Sequence, residues 1–426
     1  MIDLRALRDD PGALRAALAR REDPEAEGLA DRALELDARR REIIAEVEVL
    51  KARRNRVSRE IGARKGRGED ADELIRDMKA VADRIRDLDA EQASAESGLR
   101  EALLRIPNLP DPRVPAGSEG AFEIVRAWGD PAPRSEDAEA HWDLGARLGI
   151  LDLERGAAVA GSGFPLLVGA GARLNRALIQ FMLDLHTTEH GYVEVAPPFL
   201  TNRDCLTGTG QLPKFEEDVY RTDPDDLFLV PTAEVPLTNL HRGEILDAAD
   251  LPRAYVAYTP CFRREAGAAG RDTRGLLRVH QFDKVELVRF TEPEASGEAL
   301  ETLTRHAETV LERLELPYRR ILLPAGDLGF ANSITYDLEV WSPGVDRWLE
   351  VSSCSCYTDY QARRADIRYR PADGGKPRLV HTLNGSGVAL ARTLVALLET
   401  HRGADGGVWI PEALRPWTGF DRLSPP

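Results

Sequence analysis

The sequence predicts an α+β protein, with an N-terminal antiparallel two-helix coiled-coil arm followed by a larger domain built on an antiparallel β-sheet flanked by helices. Three observations predict this fold class. Residues 29–100 contain almost no glycine, proline or aromatic residue, and their apolar side chains recur three and four positions apart. Four prolines in residues 106–115 then forbid a continuing helix. Beyond them, short strand-like runs lie close together in the chain, which favours antiparallel pairing.

The composition of the 426 residues excludes two broad classes of protein. There are 57 basic and 72 acidic residues, and the net charge of −15 confines any nucleic-acid contact to a local surface. No apolar run reaches the ~18 residues that span a bilayer, and the charged N-terminus lacks the apolar stretch of a secretion signal. We therefore expect a cytoplasmic protein that contacts no membrane.

The arm, at about residues 29–100, is predicted to consist of two long helices that fold back on each other. Glycines in segment 62–68 indicate the turn, and each helix would be about 50 Å long or a little less, at ~1.5 Å per residue. Residues 39–67 carry eleven bases and four acids, a charge of +7, whereas the returning helix is acidic. Either ion pairs within a solvated coiled coil or phosphate contacts to a nucleic acid would account for this charge.

The proline-rich segment 106–120 is predicted to link an N-terminal domain, residues 1–105, to a second domain, residues 121–426. In the second domain the sequence predicts strands near 192–195, 227–230, 255–258, 277–290 and 336–341, and helices near 172–186, 295–314 and 388–399. Short links between several strands favour an antiparallel sheet over a doubly wound parallel one.

A hairpin at residues 261–282 is the first candidate for chemistry. Because the chain has neither G-x-x-x-x-G-K-[ST] nor a G-x-G-x-x-G that opens a helix, a nucleotide would have to bind in another way. Strand alternation places Arg263 and Glu265 on one face, and Arg278, Phe282 and Glu286 on one face of the return strand. These side chains suit phosphates, a base and amino groups, although an exposed hairpin face with ion pairs would have the same composition.

Two further segments place charge where it needs a partner. The run 388–398 is apolar nearly all round except for Arg392, whose guanidinium requires an anion, either a ligand or a buried carboxylate. In the run 348–355 Glu350 lies beside hydroxyl side chains, which suit magnesium on a phosphate chain. The four cysteines are too few for a disulfide framework, and Cys354 and Cys356 lack a second pair at zinc spacing, so no zinc is expected.

Three ordered segments resemble the motifs of class II aminoacyl-tRNA synthetases. Residues 191–198 are similar to motif 1, the hairpin from 262–265 to 278–282 to motif 2, and residues 385–392 to motif 3. Val-Pro-Thr-Ala-Glu-Val-Pro at 230–236, together with segments 280–286 and 379–386, resembles the bacterial type of seryl-tRNA synthetase. The N-terminal coiled-coil arm resembles the same family, and the similarity covers essentially the whole chain.

This resemblance implies a class II catalytic domain, a homodimer formed through the motif 1 region, and an arm that grips the variable arm of tRNA(Ser). It also implies a reaction in which the carboxylate of L-serine attacks the α-phosphate of ATP, with Mg2+ as cofactor, to give seryl-adenylate and pyrophosphate. Serine then passes to the 3′ end of tRNA(Ser), and of tRNA(Sec) as well. Positioning and electrostatics would carry this chemistry without a covalent nucleophile on the protein.

Position by position, the resemblance implies several groups of site residues. Arg263, Arg392 and Glu350 would be catalytic. The ATP site would comprise Arg263, Arg264, Glu265, Val279, Phe282, Glu350, Val351, Ser352, Ser353 and Arg392, with Mg2+ held through ATP by Glu350 and Ser353. The serine pocket would comprise Thr232, Ala233, Glu234, Arg263, Glu286 and Ser386, and the tRNA would contact Arg53, Arg54, Arg64 and Lys65. Because Glu350 and Ser353 face opposite ways in a regular strand, a bulge is required if both bind.

Two other functions stay open on the residues alone. A related enzyme that loads an amino acid onto a carrier protein would be expected to lack the basic arm. An inactive coiled-coil interaction protein would be expected to have lost arginines such as Arg263 and Arg392. For Glu286, a structural pairing with Lys284 or an arginine is the alternative to serine binding.

Overall fold

The chain folds into two units, Ile2–Pro107 and Asn108–Pro426. A computed structural model describes residues 1–118, 120–131, 138–266 and 274–425. Each unit buries apolar clusters of its own, a small one on the arm and larger ones in the second unit. The structure confirms the predicted α+β class, with a helical arm and an antiparallel-rich sheet.

The N-terminal unit contains helices α1 (Leu4–Asp9), α2 (Pro11–Ala19), α3 (Pro24–Gly66) and α4 (Asp72–Arg105). Pro24 occupies the first turn of α3, and the side chain of Asp23 caps the helix by accepting from the N–H of Glu25. At ~1.5 Å per residue, the 43 residues of α3 extend about 65 Å and the 34 residues of α4 about 51 Å. The first helix is therefore longer than the sequence predicts.

The turn between the two long helices comes later than predicted. Helix α3 continues through Gly62 to Gly66, and residues 67–71 make the reversal. Because apolar packing continues to the buried Val57, a glycine on the exposed side costs only ~1 kcal/mol and does not end the helix. Gly68 has a φ of 70°, which glycine adopts without strain. Of the predicted turn segment 62–68, only residues 67 and 68 therefore lie in the reversal.

The seam of the arm is formed by apolar side chains from both long helices. Ile43 and Val47 of α3 pack against Leu88 of α4. Arg40 interrupts the apolar spacing because its guanidinium donates to the fully buried Asp37 at 3.1 Å. The arm is therefore a coiled coil with a charged pair built into its base.

The second unit combines helices of different lengths with strands. The helices are α5 (His141–Arg147), α6 (Leu153–Ala160), α7 (Ala170–Thr188), α8 (Arg203–Thr209), α9 (Glu234–Thr238), α10 (Ser296–Arg313), α11 (Tyr360–Ala365), α12 (Leu390–Thr400) and α13 (Arg415–Thr418). The strands are β1 (Glu123–Trp128), β2 (Leu151–Asp152), β3 (Leu166–Leu167), β4 (Val193–Glu194), β5 (Leu200–Asn202), β6 (Leu227–Leu229), β7 (Ile245–Asp247), β8 (Arg253–Phe262), β9 (Gln281–Thr291), β10 (Tyr318–Leu322), β11 (Ile334–Ser342), β12 (Arg347–Cys356), β13 (Arg368–Arg370), β14 (Arg378–Leu379), β15 (His381–Ala389), β16 (Val408–Trp409) and β17 (Arg422–Leu423).

The main sheet positions the site. Among the described residues it has eight strands in the order β1-β10-β11-β12-β15-β9-β8-β4. Neighbouring strands are antiparallel except β4, which pairs parallel with β8 through Val193 and Tyr255. Buried side chains of α7, α10 and α12 join those of the central strands in one large apolar cluster, which fixes the helices against the sheet.

Two predicted elements end elsewhere in the structure. Residues 277–280 are not part of β9, which begins at Gln281, and Val388 belongs to β15 rather than to a helix. Ala389 pairs with Lys284 after a register shift in β15, so strand pairing overrides the helical pattern at 388–389. Pairing between strands distant in sequence therefore sets the boundary at 388–389, whereas β9 begins where its pairing with β8 begins, at Gln281 opposite Phe262.

Part of the segment predicted as a linker is bonded to the second unit. Asn108 donates through its side-chain amide to the carbonyls of Ala331 and Tyr357, at 2.9 and 2.8 Å, and Val114 is buried in the main apolar cluster. Within the described ranges, no helix is both long and apolar enough to cross a bilayer. A cytoplasmic location stays a prediction.

Candidate active site

A cavity of about 420 Å³ is lined by residues of β9, β12, β15, α9 and α12 and by the segments that follow β8 and precede β9. Eleven of the residues predicted from the resemblance line it, namely Thr232, Glu234, Arg263, Glu265, Val279, Phe282, Glu350, Val351, Ser353, Ser386 and Arg392. The fold thus gathers side chains from two of the motif-like segments, the hairpin and residues 385–392, into one space with Glu350 and its neighbours.

One end of the cavity combines arginines with an aromatic ring. The Arg263 guanidinium lies 5.2 Å from the centre of the Phe282 ring, and its Nε donates to the carbonyl of Pro231 at 3.3 Å. Arg278 donates to the carboxylate of Glu265. Strand β8 ends at Phe262 and β9 begins at Gln281, so Arg263, Glu265 and Arg278 lie beyond the strands and the predicted alternation of faces does not apply to them.

Arg392 lies in the first turn of α12, and its charge is partly satisfied by backbone. Its Nε donates to the carbonyl of Leu277 at 3.1 Å, and its Nη1 donates to the carbonyl of Glu350 at 2.8 Å. The Glu350 carboxylate lies farther from Nη1, at 3.5 Å. The predicted need for an anion is therefore met only in part, and the guanidinium still faces the cavity.

Strand β12 contains the bulge that sequence reasoning required. Leu338 pairs with Ser352 and Glu339 pairs with Glu350, so Val351 is the extra residue on β12. The bulge brings the hydroxyl of Ser353 within 3.1 Å of the Glu350 carboxylate, to which it donates. Burial opposes the charge of Glu350, but Arg392 and Ser353 offset this effect and lower its pKa. The side chain of Glu350 is therefore a charged carboxylate at the cavity wall.

The other end of the cavity is a buried polar network. Lys284 donates to the hydroxyl of Thr232 at 2.8 Å and pairs with Glu286 at 2.5 Å. Asn384 donates to Glu286 at 2.7 Å and to Glu234 at 3.3 Å. Because each of these side chains has a partner, the network holds charge in the interior without a free ion.

Glu234 has an unusual acidity within this network. Burial, together with the negative charge of Glu286, raises the pKa of Glu234 to about 7, although hydrogen bonding from Gln361 and the charge of Lys284 oppose the shift. Gln361 donates to the Glu234 carboxylate at 2.6 Å. The carboxyl therefore changes charge near neutral pH.

Four predicted residues are not brought into the cavity lining. Ala233 packs in an apolar cluster, Ser352 donates to the carbonyl of Ser386, and the N–H of the exposed Arg264 donates to the carbonyl of Asp218. Glu286 is fully buried behind Lys284 and Ser386. Ala233, Ser352 and Arg264 are thus outside the cavity lining, and their predicted contacts with a ligand stay predictions. Glu286 has the Lys284 pairing that was its structural alternative.

Several lining residues were missed by sequence reasoning, namely Lys284, Asn332, Ser355, Tyr357 and Asn384. Lys284 could have been found, because it lies on β9 midway between Phe282 and Glu286 and alternation places all three on one face. Nothing local marked Asn332 or Tyr357, since they reach the cavity only through the folding of distant segments. The glycine-rich turn predicted at 266–275 lies, over residues 267–273, outside the described residues.

The basic residues predicted for tRNA are carried by α3. Arg53, Arg54 and Lys65 are exposed, whereas Arg64 pairs with Glu60 at 2.8 Å. Nearer the base of the arm, Arg39 and Arg84 form pairs across the two helices with Glu91 and Glu46. Within the described chain, no ion pair involves Arg53, Arg54 or Lys65, so the predicted ion pairs do not account for these three charges.

The fold and the cavity define a class II aminoacyl-tRNA synthetase. The sequence model of the tRNA synthetase class II core domain (G, H, P, S and T) matches residues 214–401, and that of the seryl-tRNA synthetase N-terminal domain matches residues 1–110. A serine–tRNA ligase from Gemmatimonas aurantiaca is 55% identical over 98% of this chain and 99% of its own. One from Citrifermentans bemidjiense is 53% identical over 100% of both. The chain belongs to the seryl-tRNA synthetase family and is an enzyme of the serine–tRNA ligase type.

Solved structures show the same relationship. Seryl-tRNA synthetase from Pyrococcus horikoshii complexed with ATP superposes with a TM-score of 0.94 at 38% identity, with 100% of both chains covered. The cytoplasmic serine–tRNA ligase of Naegleria fowleri in complex with AMP has a TM-score of 0.89 at 28% identity, with 100% of this chain and 99% of that chain covered. The predicted family is confirmed over the whole chain.

Proposed function

We propose that this chain activates L-serine with ATP and transfers it to the 3′ end of tRNA(Ser). A serine carboxylate oxygen attacks the α-phosphorus and pyrophosphate leaves. A hydroxyl of the terminal tRNA ribose then attacks the carbonyl carbon and AMP leaves. The observation that carries the proposal is that one cavity is lined both by arginines beside an aromatic ring, which form its arginine end, and by a buried polar network, which forms its polar end. The ATP complex of the Pyrococcus relative supports ATP as the nucleotide.

At the arginine end, the roles follow from charge and position. Arg263 and Arg392 would neutralise charge that builds up on the phosphates, and Phe282 would stack against the base. Glu265 and the backbone of Val279 would accept from and donate to adenine. These groups, with Glu350, position the reactants and none forms a covalent intermediate.

At the polar end, Thr232, Glu234 and Ser386 line a space with hydrogen-bonding groups on several sides. We propose that Glu286 takes part in serine binding together with Lys284, since the two side chains carry opposite charges 2.5 Å apart. A pocket of this kind rejects alanine, which leaves buried polar groups unpaired. Threonine would be excluded by its volume.

The residues around Glu350 fit a magnesium ion bound with ATP. Its carboxylate and the Ser353 hydroxyl are hard oxygen ligands 3.1 Å apart. On the neighbouring strand β11, Oδ1 of Asp337 is buried and, among the described atoms, has no hydrogen-bond partner. When bound, the ion would offset negative charge on the phosphate chain. Glu350 and Ser353 would hold it, and Arg392 would keep Glu350 ionised.

We propose that residues 1–105 form the tRNA-binding domain and that residues 106–120 link it to a catalytic domain at 121–426. The arm would contact the phosphate backbone of tRNA(Ser) through Arg53, Arg54, Arg64 and Lys65. The exposure of Arg53, Arg54 and Lys65 supports the proposal. Deleting residues 35–95 should spare adenylate formation and abolish tRNA charging. Loss of both activities in a folded deletion variant would contradict this division.

Charging of tRNA(Sec) stays a prediction, tested with a tRNA(Sec) transcript in the same assay.

We further propose a homodimer formed through the motif 1 region. Strand β4 ends the main sheet, and around it Val193, Phe199 and Leu200 are 60%, 43% and 44% exposed. An apolar patch at a sheet edge is typical of an interface between subunits. Sedimentation of Phe199→Asp should show monomers where the unaltered chain sediments as a dimer. Val49→Asp, an exposed apolar position on the arm, is the matched control.

Serine-dependent exchange of pyrophosphate into ATP tests the central proposal. Exchange should require serine and should be negligible with alanine or threonine. Arg263→Ala should abolish it, whereas Arg264→Ala, whose exposed side chain lies outside the cavity lining, should retain most of it. Equal loss in both variants, or exchange without serine, would contradict the assignment.

The loading of a carrier protein is the weaker candidate. The chain has the basic arm that such an enzyme would be expected to lack, and the seryl-tRNA synthetase N-terminal domain covers residues 1–110. An inactive interaction protein is not favoured either, because Arg263 and Arg392 are present and line the cavity.

A further inference from the structure

A buried polar pair lies behind the nucleotide end of the cavity. His141 of α5 and Glu399 of α12 have side chains that are 0% and 1% exposed. One Glu399 oxygen accepts from the backbone N–H and from Nδ1 of His141, at 2.9 and 3.0 Å. The other accepts from the N–H of Gly344 at 2.9 Å and from the hydroxyl of Ser342. Both carboxylate oxygens are therefore fully used inside the protein.

The remaining nitrogen of His141 holds the return segment of the hairpin. The backbone N–H of Leu276 points to Nε2 of His141 at 3.0 Å. Because a backbone N–H can only donate, Nε2 must accept, and the ring proton is on Nδ1, where it is donated to Glu399. Glu399 thus selects the neutral tautomer that can accept from Leu276.

Leu276 and Leu277 are part of the cavity lining. The carbonyl of Leu277 accepts from Nε of Arg392 at 3.1 Å. Helix α12 therefore holds this dipeptide twice, directly through Arg392 near its beginning and through His141 by way of Glu399 near its end. The same dipeptide connects the nucleotide end of the cavity to the buried pair.

Two glycines show that the space around the pair is fully occupied. A Cβ on Gly275 would clash with Nε2 of His141, and one on Gly344 would lie 2.8 Å from the carboxyl carbon of Glu399. Gly275 also has a φ of 66°, which disfavours other residues. The backbone can approach His141 and Glu399 this closely only because both positions lack a side chain.

We propose that His141 and Glu399 are positioning residues, which fix the backbone at Leu276 and Leu277 and thereby the Arg392 side of the nucleotide site. The inference rests on the proposed function, because the site that the pair supports is the one assigned to ATP. Neither side chain lines the cavity, so their effect on ATP is transmitted through the Leu276 N–H.

Two substitutions of His141 separate its two hydrogen bonds. His141→Gln places an amide oxygen near the position of Nε2 and can still accept from Leu276, whereas His141→Asn keeps a donor for Glu399 and loses that acceptor. In pyrophosphate exchange by the full chain, His141→Asn should raise the KM for ATP about tenfold, because a buried N–H is left unpaired. The KM for serine should change less than twofold. His141→Gln should stay within about threefold of the unaltered chain for ATP.

The matched control is His401→Leu, since His401 follows α12 and bonds to the carbonyl of Leu314, away from the cavity. It should leave the KM for ATP unchanged. Equal increases for ATP and serine in His141→Asn, or equal effects of the Asn and Gln variants on ATP, would overturn the inference in favour of a general structural role.

Amide hydrogen exchange of the unaltered chain, without nucleotide, gives a readout independent of activity and of how the variants fold. The Leu276 N–H should be protected, and exchange as fast as that of an exposed amide would overturn the proposal. The two proposals can also fail separately. If the unaltered chain shows no serine-dependent pyrophosphate exchange while the Leu276 amide is protected from hydrogen exchange, the proposed function fails, but the hydrogen bond from Leu276 to His141 is upheld.

Discussion

The two ends of the cavity hold charge in different ways. At the arginine end, Arg263 and Arg392 bond mainly to backbone carbonyls, and the Arg392 side chain remains 28% exposed. At the polar end, Lys284 and Glu286 are buried and paired with each other, 7% and 0% exposed. A cation bonded to carbonyls keeps most of its charge available to an anionic ligand. In an ion pair the two charges offset each other, and what remains for a ligand is directional hydrogen bonding. We infer that the first end binds by charge and the second selects by hydrogen-bond pattern.

Removal of Arg392 from the arginine end should have the largest effect on activity. Arg392→Ala should lower serine-dependent pyrophosphate exchange about 1,000-fold, or ~4 kcal/mol, because α12, which is described throughout, offers no other positive side chain to the nucleotide end. Arg392→Lys should recover only part, since it keeps the charge without the fork of donors. Exchange within a few-fold of the unaltered chain, with an unchanged circular dichroism spectrum, would show that this end does not depend on Arg392.

At the polar end, the buried carboxyl of Glu234 should make the stability of the fold depend on pH. Because the folded-state pKa of Glu234 is raised to about 7 from 4.5, the folded chain favours the protonated form. The carboxyl then costs no stability below about pH 4.5, and ionisation destabilises the fold progressively up to about pH 7, by about 3 kcal/mol in total. Urea unfolding at pH 5 and pH 8 should show this loss in the unaltered chain relative to Glu234→Gln. A pH-independent difference between the two would contradict the shift.

A substitution of Glu286 tests whether the polar end selects serine or only stabilises the fold. Glu286→Gln keeps the shape but removes the charge that faces Lys284, and it should raise the KM for serine about 100-fold, or ~2.7 kcal/mol, with little change in the KM for ATP. If the melting temperature falls while both KM values stay constant, Glu286 is only the structural partner of Lys284.

The arm gives the smallest effect for each residue and extends the same comparison to tRNA. Arg53→Ala combined with Arg54→Ala should weaken tRNA binding and reduce the log–log salt slope by roughly 0.7 to 0.9 for each phosphate that is no longer neutralised. Arg84→Ala is the control, because that arginine already pairs with Glu46 at 2.9 Å. An unchanged salt slope in the double variant would place the tRNA-binding surface elsewhere.

Local patterns predicted much of this molecule. The apolar spacing of residues 29–100 indicated the arm because a two-helix seam needs only its own side chains, such as Ile43 and Leu88, to bury. Strand alternation meant that Glu350 and Ser353 could bind one ligand only if β12 had a bulge, and the structure has a bulge there. Where local signals competed with pairing, as at Val388, the sequence pattern predicted the wrong element.

The sequence by itself determined the fold class and the arm, because these depend on periodicity and on residue type within short segments, and its resemblance to a known family implied eleven of the cavity residues. Only the tertiary structure decided which charges are open and which are closed. Glu286 became a buried partner of Lys284, Arg264 stayed outside the cavity, and His141 reached Leu276. Each of these outcomes depends on strands or helices far apart in the chain, and burial and hydrogen bonding between such segments have no counterpart in local sequence.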